Sequence, residues 1–209
     1  MSRKIAFVGY GELGKQYQSF LQIKARDQVN YFDDFLFNSS FLNALPFNHY
    51  GKDLYSDFSF YVALGYKHLK LKKNIIEELG ASFLPEFIHQ SAYVNPEATI
   101  EKAVFVYPMS NIDKGVKIGF GTLLNNSTVI SHDCCIGACC YLSPGVVLSG
   151  QVSIGDCTFI GSGSVVANGI EIGSNVTIGI GTVVTRNIPD NSFVIGNPMR
   201  FLSNKLDII

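Results

Sequence analysis

From Val94 to Val184 every sixth residue is Val, Ile or Leu: Val94, Ile100, Val106, Ile112, Ile118, Leu124, Ile130, Ile136, Leu142, Leu148, Ile154, Ile160, Val166, Ile172, Ile178 and Val184. These three types make up about a quarter of the chain, so sixteen in unbroken register constrain the fold rather than reflect composition. The residue four places further on is small or β-branched throughout, from Ala98 to Ile188. A period of six suits neither a helix nor an alternating strand. It predicts a triangular solenoid in which both columns point into a narrow core and three hexads close one coil. Coils stack at the strand spacing of about 4.8 Å. Glycine often follows the aliphatic residue, as at Gly119, Gly137, Gly155, Gly161, Gly173 and Gly179. The turns are expected to call for Gly, Asn or Asp because of their backbone angles.

The residues before the repeat have a different grammar. Lys4 to Val8 reads as a buried strand, Gly9-Tyr10-Gly11-Glu12-Leu13-Gly14 as a loop, and the stretch to about Ala25 as a helix with Leu13, Tyr17, Phe20, Leu21 and Lys24 on one face. Val29–Phe32 and Phe60–Leu64 read as further strands, ending at Asp33-Asp34 and Gly65, and Lys67–Leu79 as a second helix with Leu71, Ile75, Ile76 and Leu79 apolar. Strands alternating with helices imply a small parallel α/β sheet. A G-x-G-x-x-G between strand and helix leaves backbone N–H groups free for a phosphate, and the acidic pair about twenty residues on suits a ribose hydroxyl. The segment offers only half the strands of a dinucleotide fold, so a mononucleotide or nucleotide-sugar fits better; glycines serving only strand–helix packing are the alternative. The organisation expected is a Rossmann-like domain over residues 1–88 and a β-helix over 89–209, with Pro85 to Pro96 as the connection. The aromatic-rich stretch from Tyr31 to Tyr61 is not assigned.

A formal net charge of -1 gives no electrostatic case for nucleic acid or an anionic membrane. The apolar start breaks at Gly9 and Gly11, too early for a signal peptide, and no apolar run can span a bilayer. A cytoplasmic location is the expectation. All five cysteines lie between Cys134 and Cys157 without the spacing of a zinc site; no metal is expected, and Cys134 and Cys140 fall on inward positions. Of four histidines, only His132 lies within the repeat proper, too few for a three-histidine zinc centre.

His132 follows the core residue Ile130 by two and sits at a coil corner. Asp133 adjoins it, and a neighbouring carboxylate raises imidazole basicity and selects its tautomer. Asn125, Asn126 and Ser127 make the preceding turn unusually polar. Gly150 lies 18 residues on, one coil by the hexad count, and so stacks on His132 with an unshielded N–H suited to an oxyanion. Phe105, Phe120, Leu123 and Phe159 are expected as exposed apolar residues on the flat faces.

The hexads resemble those of the hexapeptide-repeat acyltransferases, whose fold is the left-handed parallel β-helix. The segment Ile195-Gly196-Asn197-Pro198-Met199-Arg200 looks like the Gly-x-Pro-Ala-Lys/Arg ending common among the acetyltransferases. A β-helix behind a small nucleotide-fold domain, with Gly-x-Gly at one end and Ser-His-Asp-Cys in the coils, is similar to the sugar O-acyltransferase family over nearly the whole chain. That family includes sialic acid O-acetyltransferases and nucleotide-linked amino-sugar N-acetyltransferases. The resemblance implies His132 as general base, Asp133 as the residue raising its basicity, and Gly150 as oxyanion donor. It implies Gly11, Glu12, Leu13, Asp33, Asp34 and Gly65 around the nucleotide of the sugar. Acetyl-CoA would lie against Tyr141, Ser162 and Ile180, between subunits of a homotrimer. Tyr141 departs from a second histidine carried by many members, and Leu13 from a polar residue in some. The function implied is N-acetylation of a nucleotide-linked amino-sugar, a 4-amino-dideoxy sugar for surface polysaccharide; the alternatives are O-acetylation of sialic acid or a related sugar, and a non-catalytic scaffold.

Overall fold

The computed structural model describes residues 2–51, 55–80 and 84–203 of the 209; positions 52–54 of the aromatic-rich stretch lie outside them. The chain divides into two compact units, Met1–Pro85 and Glu86–Ile209. In the first, strands β1 (Lys4–Val8), β2 (Gln28–Phe32), β3 (Ala44–Leu45) and β4 (Ser59–Val62) form a parallel sheet in the order β3-β2-β1-β4. The central β1 is buried from Ile5 to Val8, as its apolar run requires. Helix α1 (Glu12–Phe20) buries Gly14 and Tyr17 and stops well before Ala25, because Gln22 turns into the left-handed region. Helix α2 (Asp34–Asn38) and β3 lie in the unassigned stretch. Helix α3 (Leu69–Leu79) buries Leu69, Lys72, Ile75 and Ile76, whereas Leu71, expected on the apolar face, is 43% exposed.

The second unit is a parallel β-solenoid. Two-residue strands stack into three sheets of five, eight and six strands, every stacked pair 18 residues apart from Thr99–Ile100 to Val183–Val184. With the sheet of the first unit as sheet A, the eight-stranded sheet B carries Leu123 and Tyr141, the six-stranded sheet C carries Val129 and Val147, and the five-stranded sheet D carries Cys135 and Ser153. From Val106 onward the aliphatic column is buried, and with Val104, Cys134, Cys140, Val146 and Val176 it forms one continuous core. Buried Thr122, Thr158 and Ser164 in the second column donate their hydroxyls to Gly137, Gly173 and Gly179 carbonyls at 2.8, 2.8 and 3.0 Å, so their polarity costs little. Phe87–Ile88, placed by the sequence with the first domain, pairs with Phe105–Val106 and belongs to the solenoid. At the far end Met199 packs into the core, after Val194–Ile195 pairs antiparallel with Arg200–Phe201.

The turn geometry differs from the expectation. The residue three after each aliphatic one adopts positive φ from Ala103 to Gly181, and it is often not glycine: Met109, Ser127, Asp133, Cys139, Gln151 and Cys157 all stand there. The glycines directly after the aliphatic residues have another reason. A Cβ on Gly119 would lie 2.7–2.9 Å from the backbone of Gly137 and Ala138 in the next coil. They are fixed by close stacking, not by backbone angles. The flat faces differ too. Phe105, Leu123 and Phe159 are buried, with Phe105 stacked on Phe87 at 4.7 Å, and Phe120 is half-buried. The exposed apolar ladder is instead on sheet C, where Val129 and Val165 are 38% exposed and Val147 and Val183 half-buried.

Candidate active site

In the first unit the three glycines of the loop do three different jobs. Gly9 has φ +78°, which disfavours a side chain. A Cβ on Gly14 would meet the Gly9 carbonyl at 3.0 Å and the Tyr10 ring at 2.9 Å, so Gly14 permits α1 to pack on the loop. Gly11, the N-cap of α1, has φ −73° and open space around its missing Cβ. Neither strain nor packing explains a glycine there. It leaves the first turn of α1 bare, with N–H groups that have no intrahelical acceptor. Gly65 has the same open surroundings ahead of a short 3₁₀ turn. The acidic pair is committed structurally. Asp33 accepts from Tyr10 N at 2.8 Å and from Leu36 N at 3.1 Å, tying the two loops together and capping α2. Asp34 accepts from Phe47 N at 2.8 Å. Each carboxylate keeps further lone pairs for a ligand. Glu12 is exposed and paired with Lys15 at 2.7 Å; Leu13 is half-buried. Tyr10 and Tyr31 pack edge to face at 4.4 Å and share Gln18, which gives the aromatic stretch part of its role as local core.

In the solenoid the predicted constellation assembles at the edge after sheet C. His132 Nδ1 lies 2.9 Å from Asp133 Oδ2, and both side chains are about half exposed. An ionised carboxylate only accepts, so the ring proton resides on Nδ1 and Nε2 carries the lone pair. Asp133 stands at the left-handed turn position with φ +59°, and its Oδ1 lies against the point where a Gly115 Cβ would stand, one coil below. The imidazole leans the other way. A Cβ on Gly150 would meet His132 Nε2 at 2.5 Å, His132 Cε1 at 2.6 Å and Asn168 Oδ1 at 2.9 Å. Gly150 is therefore a notch cleared for the imidazole, a reason for glycine that the 18-residue count alone does not contain. Gln151 N donates to the His132 carbonyl at 2.9 Å and locks the two coils in register. The N–H at the Gly150 position is no part of the ladder, for Pro96, Pro108 and Pro144 occupy equivalent positions. It has no acceptor among the described residues.

Tyr141, Ser162 and Ile180 gather elsewhere, around the edge after sheet B. Ser162 and Ile180 are exposed and stacked, with Gly181 N donating to the Ser162 carbonyl at 2.8 Å. Tyr141 is half-buried and accepts from Asn125 Nδ2 at 3.2 Å. One chain thus carries the His132 edge and the Tyr141–Ile180 edge on either side of the sheet C valine ladder. Cys134 and Cys140 point inward as expected and donate to the Ser149 and Gly155 carbonyls, both at 3.1 Å. Burial pushes the Cys134 thiol up and the Cys140 thiol up to about 12, so neither is a nucleophile near neutrality. Cys135 is exposed beside a groove of about 570 Å³ on sheet D. Among the described residues no group of three or more His, Cys, Asp or Glu could hold a metal ion, and no helix is long and apolar enough to cross a membrane.

Residues 151–186 match the family model described as the hexapeptide repeat of succinyl-transferase. The chain is 29% identical to the acetyltransferase domain of PglB from Neisseria gonorrhoeae, solved in complex with acetyl coenzyme A; the match covers 97% of this chain and 100% of that one, with a TM-score of 0.79. PerB from Caulobacter crescentus, solved with CoA and GDP-perosamine, is 29% identical over 97% of this chain and 98% of its own, with a TM-score of 0.78. WeeI from Acinetobacter baumannii, at 22% identity, covers 97% of this chain and 100% of its own with a TM-score of 0.82, and shares the fold. These matches support the resemblance to the hexapeptide-repeat acetyltransferases and an assignment as an acyltransferase.

Proposed function

We propose that this chain, built on the fold and repeat of the hexapeptide-repeat acetyltransferases, moves the acetyl group of acetyl-CoA to the amine of a nucleotide-linked amino-sugar, a 4-amino-dideoxy sugar destined for surface polysaccharide. The observation that carries the reading is the His132–Gly150 notch: a half-exposed imidazole held by Asp133 at Nδ1, with Nε2 set against a glycine of the next coil. His132 takes a proton from the amine as its nitrogen attacks the thioester carbonyl. The Gly150 N–H stabilises the oxyanion. The carbon–nitrogen bond forms, the carbon–sulfur bond breaks, and the proton passes from His132 to the departing thiolate. Neither a covalent enzyme intermediate nor a metal enters this sequence.

The unexplained glycine at Gly11 and the bare first turn of α1 support nucleotide binding in the first unit, through Gly11, Glu12, Leu13 and Gly65 and the remaining lone pairs of Asp33 and Asp34. Relatives solved with acetyl coenzyme A, and with CoA and GDP-perosamine, support both substrate classes. Tyr141, Ser162 and Ile180 are proposed for the coenzyme. That edge and the His132 edge of a single chain flank an exposed valine ladder, so a homotrimer that buries the ladder would join one chain's base to its neighbour's coenzyme. The protein is proposed to act in the cytoplasm.

The test is thiol release from acetyl-CoA with UDP- and GDP-linked 4-amino-dideoxy sugars, with His132→Ala as control and sedimentation to give the oligomeric state. Turnover lost in the variant, while coenzyme still binds, is the expected result. Turnover only with sialic acid would replace the acceptor, and intact turnover in His132→Ala would remove the base.

A further inference from the structure

Asn168 stands one coil above Gly150, in the column that runs Lys114, His132, Gly150, Asn168, Arg186. Its side chain is exposed and has no hydrogen-bond partner among the described residues. Its Oδ1 lies 2.9 Å from the point where a Gly150 Cβ would stand, and His132 Nε2 lies 2.5 Å from the same point. The two atoms are therefore no more than about 5.4 Å apart across one notch. With Nδ1 protonated toward Asp133, Nε2 is an acceptor, so the notch presents two acceptors with the Gly150 backbone between them.

We infer that Asn168 is an acceptor-binding residue that selects an amine over a hydroxyl as the acetylated group. A neutral primary amine has two N–H bonds and one lone pair. One N–H goes to His132 Nε2, the other to Asn168 Oδ1, and the lone pair is left pointing at the thioester carbonyl. A nitrogen donating two hydrogen bonds of about 2.9 Å at a tetrahedral angle holds its acceptors about 4.7 Å apart, below the upper limit of about 5.4 Å that the two contacts set. A hydroxyl has a single proton, which the base needs, so it offers no donor to the Asn168 Oδ1 that faces the notch; only a turn of the amide that brings Nδ2 to the oxygen would pair them, whereas the amine is met by the orientation present. The balance is that of the proposed transfer: the proton accepted by His132 leaves with the thiolate, and the N–H held by Asn168 stays on the amide product.

This inference rests on the N-acetylation reading, and the experiment separates the two. Initial rates are measured for the full chain, Asn168→Ala and Asn168→Asp, with UDP- and GDP-linked 4-amino-4,6-dideoxyhexoses and their 4-hydroxy counterparts. The expected result for Asn168→Ala is a loss of about tenfold in kcat/KM for the amine, equivalent to about 1.4 kcal/mol, carried by kcat. Thermal melting and the slow rate with the hydroxyl sugars should not fall. Asn168→Asp keeps an acceptor at the same place and should stay within about threefold of wild type on the amine. An amine rate unmoved by Asn168→Ala, or an Asp variant as impaired as the Ala variant, overturns the inference while the acetyltransferase reading stands. Wild type that acetylates no amine overturns the reading and the inference with it.

Discussion

Gly150→Ala should abolish most activity while leaving the fold intact. Its Cβ would stand 2.5 Å from His132 Nε2, and ordinary contact begins at about 3.4 Å, so the ring must retreat by about 0.9 Å. The three atoms nearest to it belong to the side chains of His132 and Asn168. Gly150 is not among the positive-φ glycines, so alanine is compatible with its backbone and restricts the unfolded chain, which offsets part of the strain. Stability should change by no more than about 1 kcal/mol, or about 2–4 °C in Tm for a chain of this size. A displacement of about 1 Å at a base costs on the order of 100-fold in rate. Gly119→Ala is the contrast: its Cβ would lie 2.7–2.9 Å from the backbone of the next coil, where the coils themselves must part. That overpacking should cost about 1–3 kcal/mol and lower Tm by several degrees. Steady-state thiol release and a melting curve on each variant decide the matter. Gly150→Ala with kcat/KM within threefold of wild type, or a melt as depressed as that of Gly119→Ala, would refute the reasoning.

Asp133→Asn should reduce kcat about tenfold with an unchanged melt, because the side chain that orients Nδ1 loses its charge while Asn tolerates the positive φ; an unchanged kcat would show that Asp133 serves the turn alone. At pH 8, brief alkylation followed by mass spectrometry should label Cys135 and spare Cys140. The Cys140 thiol, pushed up to about 12 by burial, stays neutral and enclosed until the pH approaches that value; rapid labelling of Cys140 in the folded protein would contradict its inward placement. Leu142→Ala, at a fully buried position of the narrow core, should cost about 2–5 kcal/mol, read as a lowered melting temperature.

The solenoid was legible because one residue type in six repeats its environment coil after coil. Ile112 through Val184 point inward where the period puts them. The His132–Gly150 contact followed from the same count of 18. What the period does not carry is the covering of outward columns. Phe105 and Val129 occupy the same place in their hexads, yet Phe105 is 2% exposed and Val129 is 38%. A local repeat fixes which way a side chain points, not what comes from distant sequence to cover it. Asn168 was missed for a related reason: a lone Asn at a corner gains meaning only beside the notch two coils create. Helix α2 and strand β3 escaped notice because their aromatic and acidic residues show no helical or alternating period over so few positions. The loop glycines were recognisable as a group, but only space around each one separates the strained Gly9 and the packed Gly14 from the open Gly11.

The stacked coils also set two different rules for how this chain can change in length. The core recognises only whole hexads, since an added or lost six residues returns every aliphatic side chain to the interior. The site recognises only whole coils, since His132, Gly150 and Asn168 share an edge by being 18 residues apart. A six-residue duplication between Ile136 and Leu148 would therefore keep the aliphatic column inside while carrying Gly150 and everything after it round to the next edge, away from His132. An eighteen-residue duplication there would keep all three on one edge but lift Gly150 and Asn168 a coil away from His132. The core and the proposed site are thus written in the same letters with different reading frames, and mutation by slippage can separate the site residues while the aliphatic column stays inside.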